Sequence, residues 1–220
     1  MNTLTEENYL KAIFKLSGDE ADTVFTGAIA SRVETSSASV TDMLQKLSEK
    51  KLISYKKYKG VTMTAAGKKA ALAVIRKHRL WEMFLVEKLQ FGWDEVHAIA
   101  EQLEHIQSDK LIERLDEFLG HPQTDPHGDL IPDSSGKFPE RKSVLLSSLA
   151  KGDSATIAGV IDHHPSFFRH LEKIGFNVGV SLKVEDVEEY DQSFSVNLRN
   201  KKSLIHISHD IAKNLLVVIK

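Results

Sequence analysis

Between His78 and His105 the chain sets six potential metal ligands on two adjoining helical runs, a pattern that restricts the fold more than any other stretch. His97, Glu101, Glu104 and His105 stand at offsets of 0, 4, 7 and 8, which a helix turning 100° per residue gathers into one stripe. One run earlier, His78 and Glu82 stand four apart, so antiparallel packing of the two runs would aim the pair at that stripe. Imidazole and carboxylate groups so arranged suit one or two divalent cations. A solvated helix face would carry the same charges. Here, however, Trp81, Phe84, Leu85, Phe91, Trp93, Val96, Ile99, Leu103 and Ile106 crowd the segments, and that much apolar surface points to a packed site.

The surrounding sequence limits the class of molecule. No cysteine is present, which excludes disulfides and thiolate metal sites. The opening MNTLTEENYLKAIF lacks an apolar core with a cleavage site, and no apolar run approaches the roughly 18 residues of a membrane span. The expectation is a cytoplasmic protein with no membrane partner. A net charge of −2 conceals an asymmetry: residues 36–80 hold 11 Lys or Arg against 2 Asp or Glu, and residues 81–120 hold 3 against 10. This suggests a polyanion-binding part joined to a cation-binding part.

Thr5, with Glu6 and Glu7 behind it, is expected to start a first helix in which Tyr9, Leu10, Ile13, Phe14 and Leu16 recur at helical spacing until Ser17-Gly18. Val24–Thr26 reads as a short extended piece and Gly27–Val33 as a second helix. Ser36 or Ser37 caps a third, with Val40, Met43, Leu44 and Leu47 inward. Two short helices joined by a turn of about four residues have the layout of a helix-turn-helix. Leu52–Lys56 and Val61–Thr64 flank Lys57-Tyr58-Lys59-Gly60 as a basic-tipped hairpin, so residues 1–64 read as a winged helix. Its candidates for DNA contact are Ser36, Ser37, Ser39, Thr41 and Asp42, whose small polar groups can approach base edges, and Lys46, Lys56, Lys57 and Lys59, which neutralise phosphates.

Thr64 caps a long helix over about 65–89, the ligand-bearing helix runs from about Asp94 to Gln107, and another opens at Ser108 or Asp109 and ends at Gly120. Residues 65–132 are thus expected to form a helical domain that dimerises and binds metal, two copies addressing a palindromic operator. His121–Pro132 reads as loop because of its prolines and glycine, and its histidines as loop residues rather than ligands. Residues 133–142 read as a polar linker. Beyond it, short apolar segments at 155–161, 180–187, 194–198, 204–207 and 215–219, with one helix at about 166–174, predict a small SH3-like β-barrel over 143–220. The expected fold class is therefore mainly α, with a winged helix-turn-helix, a helical dimerisation domain and a small barrel. Dimetal oxidases need two Glu-x-x-His units, whereas this chain offers Glu101-x-x-Glu104-His105 and no second copy; with no nucleophile elbow, phosphate loop or His-Glu-x-x-His either, no enzyme is expected. A winged-helix regulator answering a small organic ligand stands as the alternative.

In order, the winged helix, RKHRLWEMFL, VHAIAEQLEHIQSD, HPQTDPHGDLIP and PSFFRHLEKIGFNVG resemble the diphtheria-toxin-repressor family of iron- and manganese-dependent transcriptional regulators, over nearly the whole chain. The resemblance implies a homodimeric repressor of metal uptake and homeostasis genes, bound to double-stranded DNA in response to Mn²⁺ or Fe²⁺, with one or two cations per subunit and a FeoA-type carboxy-terminal domain. It makes His78 a ligand, Glu82 and His97 partners in an ancillary site, and Glu101, Glu104 and His105 the principal cluster. Iron-type members place a cysteine where this chain has Glu101 and manganese-type members a glutamate, which favours Mn²⁺. Three positions depart from the family: Asn8 stands at the first-helix ligand, Lys11 stands where manganese-type members have a glutamate, and His164 and Phe167 stand where barrel ligands occur. Of that last pair only His164 could bind.

Overall fold

Thr3, rather than Thr5, opens the first helix. Its hydroxyl accepts from the Glu6 amide at 3.3 Å while the Glu6 carboxylate accepts from the Thr3 amide at 2.8 Å. That reciprocal pair satisfies two amides that helix α1 (Leu4–Ser17) would otherwise leave open, which a cap at Thr5 could not do. The computed structural model describes residues 2–18, 22–140, 142–199 and 204–220, so residues 19–21 of the expected winged helix, Arg141 of the linker and residues 200–203 of the expected barrel lie outside the description. The chain divides into two compact units of non-contiguous segments: 1–78 with 101–113 and 132–138, and 79–100 with 114–131 and 139–220.

In the first unit α1, α2 (Thr26–Arg32) and α3 (Ser37–Glu49) pack with the hairpin β1 (Ile53–Lys56) and β2 (Gly60–Met63). Leu10, Ile13, Ile29, Val40, Leu44 and Leu47 are fully buried and fill one core with Ile53, Val61 and Ala71. Truncating any of these leucines to alanine costs roughly 2–5 kcal/mol. Val24 and Val61 exchange both backbone hydrogen bonds at 2.9 Å, so the short extended piece is pinned to the two-stranded wing by a single bridge. Gly67, in the first turn of α4 (Ala65–Leu89), is required by packing, because a Cβ there would lie 1.9 Å from the Leu52 carbonyl oxygen.

The ligand-bearing helix is shorter than its periodicity predicts. Helix α5 spans only Val96–Leu103, and the Ile106 amide turns back onto the Leu103 carbonyl at 3.1 Å. The Gln107 side chain then donates to the His105 carbonyl, and the Ser108 hydroxyl accepts from the Leu111 amide to start α6 (Asp109–Phe118). Glu104 and His105 therefore sit on a turn, and the stripe does not continue along one helix.

In the second unit six antiparallel strands run in the order β3-β8-β4-β5-β6-β7. The longer ones, β4 (Ser154–Val160), β5 (Ser181–Val187), β6 (Phe194–Leu198), β7 (Leu204–Ile207) and β8 (Leu215–Ile219), fall on the apolar segments of the sequence; β3 (Val144–Leu145) is a short edge. Phe168 and Leu171 of α7 (Pro165–Ile174) bury against Ile157, Phe176, Leu182, Phe194 and Val217. A short helix, α8 (His209–Ala212), capped by the Ser208 hydroxyl, connects β7 to β8 and was not expected from sequence.

Candidate metal centre and nucleic-acid interface

In the second unit, helix α4 presents Glu82 to a loop that sequence reasoning had set aside. Glu82, Asp125 and His127 are buried, and one ligand atom from each falls within 4.8 Å of the others. The Asp125 carboxylate accepts from the amides of His127 and Asp129, each at 2.9 Å, a local turn that forces the loop to close on itself. The His127 Nε2–H donates to the Trp93 carbonyl at 3.0 Å, which directs Nδ1 toward the Glu82 carboxylate, 3.7 Å away. That is the tautomer a metal-binding imidazole needs. His97, on α5, hydrogen-bonds the other Glu82 oxygen at 3.2 Å and is half exposed. Arg79 approaches Asp125 at 3.6 Å and Asp129 at 3.0 Å.

These carboxylates are crowded. Burial, then the charges of Glu82 and Asp129, push Asp125 up to about 7, against the opposing pull of His127 and Arg79. Burial works against a charged His127, but the hydrogen bond and charge of Glu82 and the charge of Asp125 outweigh it and raise His127 to about 9. A buried acid pair neutralised by a borrowed proton is a site a divalent cation fits, because the cation can take over that proton's role. Loading it displaces protons, so apparent affinity is expected to climb up to about tenfold per pH unit for each proton released between about pH 7 and 9. Calorimetric titrations in two buffers of different ionisation enthalpy should show the release; a buffer-independent heat would take His127 out of the ligand set. In the metal-free protein the His127 pairing stabilises the fold fully below pH 6.5, and that contribution is lost as pH rises through about 9.

The first unit holds a second cluster, built from α1, the middle of α4 and the turn after α5. Glu104 is fully buried; its Oε2 meets His78 Nδ1 at 2.6 Å and its Oε1 meets the Lys11 ammonium at 2.6 Å. Lys11 also reaches Glu101 at 3.3 Å. Burial would raise the Glu104 carboxyl, yet the hydrogen bond from His78 and the charge of Lys11 hold it below the usual carboxylate range. His105 Nδ1 pairs with Glu7 at 2.7 Å, and Gln107 donates to the other Glu7 oxygen at 2.9 Å.

Two expected ligands stand elsewhere. Asn8 is exposed: α1 turns Glu7 and Lys11, four residues apart, toward the cluster and leaves Asn8, one residue from Glu7, on the outer side. His164 is exposed and caps α7, its ring Nδ1 accepting from the Ser166 amide; its neighbour His163 comes within 3.8 Å of Asp129 and has its ring centroid 5.9 Å from that of His127. Of the expected stripe, Glu104 meets His78, His105 Nε2 lies 3.7 Å from Glu104, Glu101 meets Lys11, and His97 meets Glu82. Glu7, Asp125, His127 and His163 were missed, and Lys11 was noted only as a departure from the family. The available signals were charged residues inside the apolar stripe of α1 and an Asp-x-His spacing in a loop ending in Gly128.

The winged helix leaves nearly all of its candidates accessible. Ser36, Ser37, Ser39, Asp42, Lys46, Lys56, Lys57 and Lys59 are exposed and Thr41 is half-buried. The Ser36 hydroxyl accepts from the Ser39 amide at 3.2 Å, settling which serine caps α3, and Thr41 donates to the Ser37 carbonyl at 2.8 Å. At the wing tip Tyr58 is 89% exposed and the Lys57 ammonium lies 5.2 Å from its ring centre.

Comparison with known proteins gives this geometry its context. The family model for the N-terminal DNA binding domain of iron dependent repressors matches residues 1–61, that for their metal binding and dimerisation domain matches 64–133, and a FeoA domain matches 144–219. The iron-dependent repressor IdeR of Mycobacterium leprae is 37% identical over 134 residues, 60% of this chain and 58% of that protein. The diphtheria toxin repressor of Corynebacterium jeikeium is 31% identical over 128 residues, 58% of this chain and 53% of that protein. The chain thus matches little more than half the length of these curated relatives. A solved manganese-dependent transcriptional repressor in complex with manganese is 36% identical with a TM-score of 0.82, covering 98% of this chain and 100% of that one. The matches define a class of DNA-binding, metal-dependent regulators rather than enzymes. Within that class, the chain belongs to the diphtheria-toxin-repressor family.

Proposed function

We propose that this chain is a cytoplasmic, homodimeric transcriptional repressor that binds a palindromic operator when loaded with Mn²⁺ or Fe²⁺, and so controls metal uptake and homeostasis genes. The observation that carries the reading is the buried group of Glu82, Asp125 and His127, whose acid charge is held in check by a proton. In a site without thiolate, carboxylate oxygens favour Mn²⁺ as a hard, labile cation, although intrinsic affinity alone would follow a different order. When bound, the cation would supply the positive charge that lets Glu82 and Asp125 ionise together. Glu82, Asp125 and His127 hold it, His97 steadies the second oxygen of Glu82, and the Trp93 carbonyl keeps His127 in the binding tautomer.

Helix α4 begins directly after the wing strand in sequence and includes Glu82. Family membership favours metal over the small organic effector. In the same reading the domains are residues 1–64, 65–132 and 143–220 with a linker at 133–142, the chain counts as mainly α, and its carboxy-terminal sheet closes as an SH3-like barrel. The antiparallel strand order and the FeoA match support the barrel. Among the described residues no helix is long and apolar enough to cross a membrane.

The test is an operator gel shift with and without chelator. Binding should weaken sharply on chelation and return with Mn²⁺; a shift indifferent to chelator would overturn the reading. Replacing Lys57 or Lys59 with alanine should flatten the dependence of log affinity on log salt by about one for each phosphate no longer neutralised. An unchanged slope would remove the wing from the footprint.

A further inference from the structure

We propose that Lys11 is the resident cation of the Glu101–Glu104 cluster, its ammonium standing where a metal would otherwise sit, so that the chain takes up a single divalent cation, at Glu82, Asp125 and His127. This rests on the metal-responsive reading above.

The geometry seats an ammonium between the two acids that a metal in this cluster would bridge. Lys11 Nζ lies 2.6 Å from Glu104 Oε1 and 3.3 Å from Glu101 Oε1, within hydrogen-bond reach of both acids. A divalent ion held by the same oxygens sits about 2.0–2.5 Å from them. Ion and ammonium would then compete for one place, with the repulsion of two cations in a dry environment. Two further ligand atoms are engaged as well, Glu104 Oε2 by His78 and His105 Nδ1 by Glu7. Asn8, the first-helix residue that should complete a metal shell, faces outward.

The two clusters therefore solve one electrostatic problem in different ways. Buried Glu104 is matched at 2.6 Å by a positive side chain tethered to the backbone of α1, whereas Asp125 has Arg79 at 3.6 Å and Glu82 has His127 at 3.7 Å. Replacing a loose ion by a tethered one also ties α1 to the turn after α5 whether or not metal is present. Residues at positions 7, 11, 101, 104 and 105 thus form a standing clasp within the first unit, and metal responsiveness falls to the second.

Manganese stoichiometry of the full chain tests this, read by equilibrium dialysis with elemental analysis and by the paramagnetic resonance of free Mn²⁺. The wild type should bind one Mn²⁺ per chain, and Glu82→Gln should bind none. Lys11→Glu, which turns the ammonium into a further carboxylate, should raise the count to two, and combined with Glu82→Gln should leave one. Should Lys11→Glu not fold, Lys11→Gln removes the charge without adding an acid and should still admit a weaker second ion. A wild type that binds two ions, one surviving Glu82→Gln, would overturn the proposal, as would folded Lys11 variants that gain none. A wild type that binds no Mn²⁺ at all would instead overturn the metal-responsive reading. The gain of one ion in Lys11→Glu would even then support the role of Lys11, and no gain would overturn it.

Discussion

Gly128→Ala should cost roughly 3–5 kcal/mol and abolish high-affinity metal binding. The glycine has φ +86°, and a Cβ there would lie 2.1 Å from the Ala158 carbonyl oxygen and 2.3 Å from Gly159 Cα. Both contacts are backbone on strand β4, where no side chain can swing aside. The approach is fixed by the Val160 amide, which donates to the His127 carbonyl at 3.0 Å. To relieve the clash the loop must lift off β4, carrying His127 and Asp125 away from Glu82. Thermal unfolding should show a midpoint lowered on the order of 10 °C, and added Mn²⁺ should no longer raise it. A variant with unchanged midpoint and retained Mn²⁺ stabilisation would show that the loop is not the scaffold of the site.

Glu82→Gln should lower Mn²⁺ affinity more than about 100-fold, beyond what the loss of a supporting hydrogen bond gives. The substitution keeps the volume of the side chain and removes only its charge, so the fold should persist. Two readouts separate this from general damage. The His127 proton, held to about pH 9 chiefly by Glu82, should dissociate at distinctly lower pH, as followed by imidazole resonances across a titration. Operator affinity at a fixed Mn²⁺ concentration should also fall, since moving a two-state equilibrium from 1:99 to 99:1 needs about 5.5 kcal/mol of differential binding. Retained metal affinity would place the cation elsewhere.

Much of this architecture is written in apolar spacing. Tyr9, Leu10 and Ile13, then Val40, Leu44 and Leu47, announce the faces of α1 and α3, and the Val- and Ile-rich segments from 155 onward announce the strands. The site is less visible, because its members converge from separate elements. Periodicity placed Glu104 and His105 on a helix that in fact ends at Leu103, since burying Glu104 beside Lys11 and His78 outweighs one more helical turn. His127 sits in a proline-rich loop with no period at all, and what identifies it is the Asp125 turn and the packing against β4, both tertiary facts. Asn8 is reached through resemblance alone; a 100° step around α1 separates it from Glu7, and it is Glu7 that is buried.

The imidazole of His127 lies flat against the Phe168 ring, with centroids 4.5 Å apart. Phe168 belongs to the carboxy-terminal sheet region, although its neighbour in this contact belongs to the segment matched by the metal-binding model. That lid of aromatic carbon keeps bulk solvent from the nitrogen that would grip an ion, and so sets the local dielectric. The FeoA-like part is therefore an insulating wall of the sensor, and a chain shortened before it would leave its histidine wet, looser in its grip and less choosy about which ion it holds.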